Sequence, residues 1–193
     1  MPAKVDHDAR RRDVAGAVWA VLARTGFAGL SLRAVAAELG ATTGLVTHYF
    51  PSKAALVAHA LELLHERTDA SLADAAAEPG LAALRARLLA VLPTSEEGRV
   101  LSRIWVGFWD LALVDDELSA GEAARYDRWR GRLRPLVSEA QARGELAERD
   151  VETVIDVLTA WTHGLVVQAL FDPGRFPPAR QEAALDAVLA LLH

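Results

Sequence analysis

Cysteine is absent from the 193 residues, which excludes disulfide frameworks, thiolate metal sites and cysteine nucleophiles. A reducing compartment is its easiest home. Alternating strand-type runs are scarce. No apolar run reaches the length of about 20 residues that a membrane-spanning helix needs. Ala15–Ala23 stops at Arg24, and Val157–Phe171 is broken by Thr159, Thr162, His163 and Gln168. The opening MPAKVDHDARRR lacks the apolar core of a secretory leader. Also missing are a glycine-rich phosphate loop, G-x-S-x-G and H-E-x-x-H. His59 and His65 are six apart, which is off one helical face, and His59-x-x-Glu62 stands alone in reversed order for a bundle metal site. These absences predict a soluble cytoplasmic protein that is not an enzyme, with no metal, no cofactor and no membrane partner.

What is present is ordinary globular composition, with 52% apolar and 24% charged residues. A chain of this length buries roughly 70% of its unfolded surface without metal or disulfide. Charge is uneven. Residues 1–53 hold seven basic residues (Lys4, Arg10, Arg11, Arg12, Arg24, Arg33, Lys53) against four acids (Asp6, Asp8, Asp13, Glu38), a net of +3 that leaves −8 on the remainder. A basic head on an acidic body suits an anionic partner for the head.

Helical spacing of apolar residues recurs nearly throughout, and the pattern predicts an all-α chain of about nine helices. The first spans Asp8–Arg24 with Val14, Val18, Val21 and Leu22 inward, and Gly26 stops it. Ser31 caps a short Leu32–Leu39 helix ended by Gly40, and Thr42 or Thr43 caps a third that reaches Phe50. Ser52 caps a long fourth helix, about Lys53–Ala76. Beyond Glu78-Pro79-Gly80 follow helices to Leu92, from Thr94/Ser95 to Val114, over Leu118–Arg143, from Asp150 to Phe171 and over Ala179–Leu192. Pro135 predicts a kink or break in the seventh. Punctuation divides the chain into a three-helix head, residues 1–53, and a helical body, residues 54–193, with the fourth helix shared and placed to carry a signal between them.

The segment LSLRAVAAELGATTGLVTHYFPSK, Leu30–Lys53, reads as helix, tight turn, helix. Val35, Ala36, Leu39, Leu45 and Val46 face the head's core, which leaves Thr42, Thr43, Gly44, Thr47 and His48 outward. Small hydrogen-bonding residues of this kind approach phosphates and base edges closely. This motif, with Gly26–Ala36 and Leu39–Lys53 as its matching stretches, resembles the TetR family of bacterial transcriptional regulators. The resemblance covers about residues 8–60. It implies a DNA-binding head on a ligand-binding, dimerising body. It also implies DNA contact by Ser31, Arg33, Thr42, Thr43, Gly44, Thr47, His48, Tyr49 and Lys53, while Arg10–Arg12 read equally as a solvated face or as DNA backbone contacts.

The body more loosely resembles the family's branch of choline-responsive repressors of the betaine pathway, through Ile104-Trp105, Phe108-Trp109, Arg132-Leu133 and the stretch HGLVVQAL. Aromatic stripes at helical spacing are usual in cores and equally line pockets between bundle helices. Trp105, Phe108, Trp109, Tyr126 and Trp161 are the candidate lining of a small-molecule effector pocket. Indole faces with Asp110, Asp127 or Asp156 suit a cation, and a neutral or planar aromatic effector is equally compatible. His163 reads as a hydrogen-bonded core histidine. Val151, Val154, Ile155, Leu158 and Leu165, with Leu185, Val188, Leu189 and Leu192, are the expected homodimer interface, a four-helix contact. Two-fold symmetry then predicts an inverted-repeat operator on double-stranded DNA. The resulting expectation is a homodimeric repressor released by a small-molecule effector, with a ligand-dependent activator as the alternative and a protein-interaction adaptor as the rival of another class.

Overall fold

The computed structural model describes the backbone of residues 3–73 and 79–193, and the side chains of residues 12–69 and 79–193. Among the described residues there are nine helices and no strand. They are α1 (Ala3–Thr25), α2 (Leu32–Glu38), α3 (Thr43–Tyr49), α4 (Lys53–Ala73), α5 (Leu81–Leu89), α6 (Glu96–Ala112), α7 (Asp116–Ala142), α8 (Val151–Phe171) and α9 (Pro178–Ala190). The side chains of Arg10 and Arg11, the helix end expected at Ala76 and the turn residue Glu78 lie outside the described residues.

Local chemistry sets most helix boundaries. Ser31, Ser52 and Ser95 accept from the backbone N–H three residues on, at 3.1, 3.1 and 3.0 Å. Asp115 and Asp150 do the same with carboxylates. Gly40 takes φ +61°, and the Ala41 N–H reaches back to the Ala36 carbonyl at 2.9 Å, which closes α2 with a left-handed residue that a side chain would strain. Gly144 ends α7 the same way at φ +71°. α1 starts five residues earlier than expected, because no glycine or proline interrupts residues 3–15.

α7 runs through Pro135 without the expected break. Proline removes the bond to the Gly131 carbonyl, but Gly131 is exposed, so water can satisfy that oxygen. Trp129, Leu133, Val137 and Ala140 are buried on both sides of it and hold the helix in place.

Packing divides the chain into two compact units. The first holds residues to Asp69 together with Arg103–Phe108 of α6. Its buried residues include Val14, Val18, Val21, Leu22, Phe27, Leu30, Val35, Val46, Leu56, Leu64, Ile104 and Phe108. It extends beyond residue 53 because α4 and the middle of α6 pack with the head. The Phe50 ring lies 5.2 Å from His59, Arg67 covers Trp19 at 4.1 Å, and Trp105 Nε1 donates to Thr68 Oγ1 at 2.9 Å. The second unit holds Ala70–Ser102 and Trp109–His193. Its core joins Leu84 and Leu88 of α5, Trp129, Leu133 and Val137 of α7, Ile155 and Leu158 of α8, and Leu185 and Leu189 of α9.

The expected subunit interface needs correction. Val154, Ile155, Leu158, Leu165, Leu185 and Leu189 are buried inside the single chain, and Val151, Val188 and Leu192 pack against the same cluster. The first six belong to the second unit's own core and the other three pack half-buried against it, because α8 and α9 turn their richest apolar faces inward. α8 is also the one described helix long and apolar enough to cross a membrane, yet it serves this core. The faces that α8 and α9 leave outward carry Val157, Ala160, Gly164 and Phe171, and Ala183, Ala187 and Leu191. Phe171 and Leu191 are 84% and 77% exposed.

Candidate nucleic-acid interface and ligand cavity

The α2–turn–α3 segment is held from inside by Val35, Ala36, Val46 and Phe50, all buried, with Leu39 and Leu45 half-buried. That inner face fixes what points out. Thr42, Thr43, Gly44, Thr47 and His48 are exposed, as are Arg33 and Lys53, while Ser31 and Tyr49 are half-buried. Thr42 occupies the N-cap of α3 in an extended conformation, but its hydroxyl makes no capping bond. The Thr47 hydroxyl donates to the Gly44 carbonyl at 2.9 Å, which leaves its oxygen lone pairs and methyl outward. His48 and Tyr49 rings meet edge to face, with centroids 5.5 Å apart. Ser31 is committed to the Ala34 N–H as a cap.

Electrostatics on this surface are simple. The one acid between Ser31 and Lys53 is Glu38, and Arg24 neutralises it at 2.9 Å. Arg33 and Lys53 remain as the surface's fixed charges, flanking small polar residues. Such a surface attracts a polyanion and allows its close approach.

The second unit contains an open cavity of about 420 Å³, lined by Trp109, Ala112 and Leu113 of α6 and its end, and by Ser119, Glu122, Ala123 and Tyr126 of α7. Only Trp109 and Tyr126 of the five expected pocket residues line it. Trp105 and Phe108 belong to the first unit, where Phe108 packs on Phe27 with ring centroids at 5.3 Å and Trp105 lies beside His65 at 5.4 Å. Trp161 is half-buried against the second unit's core. Of the carboxylates named as cation partners, Asp110 is exposed, while Asp127 and Asp156 pair with Arg130.

The polar groups at this cavity are bonded to one another. Glu122 Oε1 accepts from Trp109 Nε1 at 3.0 Å, and both carboxylate oxygens accept from Arg125, at 2.8 and 2.6 Å. The two side chains are only 10% and 19% exposed. The Arg125 guanidinium lies over the Tyr126 ring at 4.7 Å, and that of Arg130 at 5.9 Å. His163 meets Trp109 and Tyr126 edge to face, at 5.4 and 5.3 Å, with its Nδ1 at 3.4 Å from the Tyr126 hydroxyl. Burial first, and then the Arg125 charge, hold the His163 imidazole down at about 4, so the ring is neutral at neutral pH. Burial pushes the Tyr126 hydroxyl up.

Sequence reasoning missed Glu122 and Arg125. Their signal was available: Glu122-x-x-Arg125-Tyr126 puts three groups on one face of α7. A second opening, about 510 Å³, lies between α5 and α9, lined by Leu81, Arg85, Asp186, Leu189 and His193 among others, with no Phe, Tyr or Trp in its lining.

Comparison with known proteins identifies the family and the fold. The family described as bacterial regulatory proteins, tetR family, matches residues 17–60, and BetI-type transcriptional repressor, C-terminal, matches residues 80–193. The HTH-type transcriptional regulator PksA of Bacillus subtilis (strain 168) is 30% identical over 178 residues, covering 91% of this chain and 85% of that protein. The HTH-type transcriptional regulator BetI of Stenotrophomonas maltophilia (strain R551-3) is 29% identical over 180 residues, covering 89% of each. A transcriptional regulator from Rhodococcus sp. Rha1 superposes with a TM-score of 0.81 at 26% identity, over 94% of each chain. A regulator from Saccharomonospora viridis, solved in complex with choline, shares the fold with a TM-score of 0.78 at 23% identity, over 95% of this chain and 96% of that one.

Proposed function

Because the chain belongs to the TetR family of bacterial regulators and carries a BetI-type C-terminal domain, we propose that it is a homodimeric repressor whose α3 face reads an inverted-repeat operator and which a small molecule releases. It is a DNA-binding transcriptional regulator, as its relatives are, and not an enzyme. The observation that carries the site assignment is the outward row Thr42, Thr43, Gly44, Thr47 and His48, flanked by Arg33 and Lys53. Threonine hydroxyls and a histidine read base edges in the major groove, and the flanking charges and Tyr49 meet phosphates. Ser31 serves first as a cap. The protein acts where the chromosome is, in the cytoplasm.

The dimer contact is assigned to the outward faces of α8 and α9. Val157, Ala160, Gly164 and Phe171 with Ala183, Ala187 and Leu191 combine small residues for close helix approach with exposed apolar ones. A two-fold pair then sets two α3 helices on half-sites one or more turns apart, about 34 Å per turn.

The effector site is the cavity at Trp109 and Tyr126. Aromatic rings and apolar side chains beside one carboxylate suit a small organic molecule, and a structural neighbour is solved with choline bound. α6 supplies a chain-level route for coupling: Trp109 lines the cavity, and the preceding residue, Phe108, packs on Phe27. A ligand that shifts Trp109 shifts Phe108 through the same helix. A loss of about 3 kcal/mol in operator fit lowers affinity about 100-fold.

Selection of binding sites from random duplex DNA by the full chain tests the proposal. The expected product is a palindromic site bound by two copies and weakened by salt. Enrichment of no sequence, or of an asymmetric site bound by one copy, contradicts it.

A further inference from the structure

The second unit's cavity contains everything an organic cation needs except a vacancy for its charge. Glu122 is the carboxylate, with Trp109 and Tyr126 as the rings. Arg125 already forks onto both oxygens of Glu122 and lies over the Tyr126 face. Trp109 donates its indole N–H to the same carboxylate, so the acid accepts three hydrogen bonds from within the chain. Glu122 is the one carboxylate in the lining, and the nearby acids Asp110, Asp116 and Glu117 are exposed to solvent. His163 packs on both rings, Asp127 and Asp156 are committed to Arg130, and Ser119 is neutral.

We propose that Arg125 is a specificity-determining residue: a built-in cation that fills the charge position of this cavity, excludes organic cations and leaves room for an uncharged, largely apolar ligand. An incoming ammonium would meet, in the lining, a Glu122 carboxylate whose charge Arg125 already balances, and breaking the fork would strand a nearly buried charge. An uncharged ligand instead meets Trp109, Ala112, Leu113, Ala123 and Tyr126, and disturbs no ion pair. The assignment rests on the reading of this cavity as the effector site and restricts the class of effector.

The test compares choline with 3,3-dimethylbutan-1-ol, its uncharged counterpart of the same shape, by saturation-transfer NMR and tryptophan fluorescence on the full-length chain. The wild type is expected to bind the alcohol in preference to choline. Arg125→Met removes the balancing charge and two of the three hydrogen bonds from Glu122, and the nearer guanidinium from the Tyr126 face, and is expected to bind choline at least tenfold more tightly than the wild type does. Arg125→Gln, which keeps a donor to Glu122 without the charge, carries the same expectation if the Met variant does not fold. Glu122→Gln/Arg125→Met, neutral throughout, is expected to lose that gain. Choline favoured by the wild type, or bound no better by either Arg125 variant, overturns the role of Arg125 while leaving the cavity as a ligand site. Transfer to neither compound in any form overturns the cavity reading and the Arg125 assignment with it.

Discussion

The two functional surfaces treat their polar atoms in opposite ways. On α3 the Thr42 hydroxyl caps nothing, and Thr43, Thr47 and His48 stand exposed. The one nearby acid is neutralised by Arg24, and Arg33 and Lys53 supply charge toward solvent. At the cavity, Glu122 accepts three hydrogen bonds, Arg125 forks onto it and His163 is held neutral. The first surface therefore keeps hydrogen-bonding groups available to a partner from outside, and a polyanion with hydrogen-bonding edges is complementary. The second has met its own polar needs and offers an entering molecule mainly apolar contact.

Substitutions can break or sharpen this contrast. The largest expected effect is on stability, at the inward face of α8. Leu158 is fully buried, so Leu158→Ala should lower unfolding free energy by about 2–5 kcal/mol in denaturant titration. Phe171→Asp/Leu191→Asp, on the outward face, should leave the melting temperature of the folded chain near wild type and convert dimer to monomer in sedimentation. Reversal of these two outcomes would restore the buried face as the interface. Next is the head. Thr47→Ala/His48→Ala removes two candidate base contacts, each worth about 1–3 kcal/mol, and should cost operator affinity on the order of 100-fold in fluorescence anisotropy. The melting temperature should hold, because both side chains are exposed.

The third effect is pH dependence in the second unit. The His163 imidazole is held at about 4 in the folded chain, from an ordinary 6.5. Below 6.5 the unfolded chain takes up a proton that the folded chain refuses until about 4. This contribution to stability is present above 6.5 and lost as pH falls toward 4, by up to about 3 kcal/mol. Melting curves between pH 7.5 and 4 should show that loss in the wild type and a smaller one in His163→Gln. Equal losses would mean the ring is hydrated. Smallest is Lys53→Ala, which should weaken operator binding severalfold and reduce the slope of log affinity against log salt by about one.

How much could be read in advance follows the same division. Caps at Ser31, Ser52, Ser95 and Asp150 and stops at Gly26 and Gly40 were legible because neighbours in sequence make those bonds. The outward row of α3 was legible because a short helix with a clear apolar side leaves one other side. The body was less so. Trp105 and Trp109 share a helical face in sequence, yet one packs beside His65 in the first unit and the other lines the cavity of the second. Periodicity says that a residue avoids water, not whether it meets a core or a cavity. The same ambiguity misassigned Leu158 and Leu185, whose apolar stripe reads identically whether it faces its own chain or a second copy. Ala160, Gly164, Ala183 and Ala187, on the exposed faces, carry almost no apolar signal. Glu122 and Arg125 share a face of α7 with Tyr126 in sequence, and their burial is what sets them apart from a solvated pair of the same spacing.

Hydroxyl-radical footprinting of the full chain on its selected operator tests the central claim, that the outward face of α3 reads DNA as one half of a two-fold pair, most directly. The account predicts two equivalent protected patches on one face of the duplex, symmetric about the repeat's centre and separated by one or more helical turns, both lost with Thr47→Ala/His48→Ala. A single asymmetric patch, or symmetric protection that survives that double substitution, would contradict it.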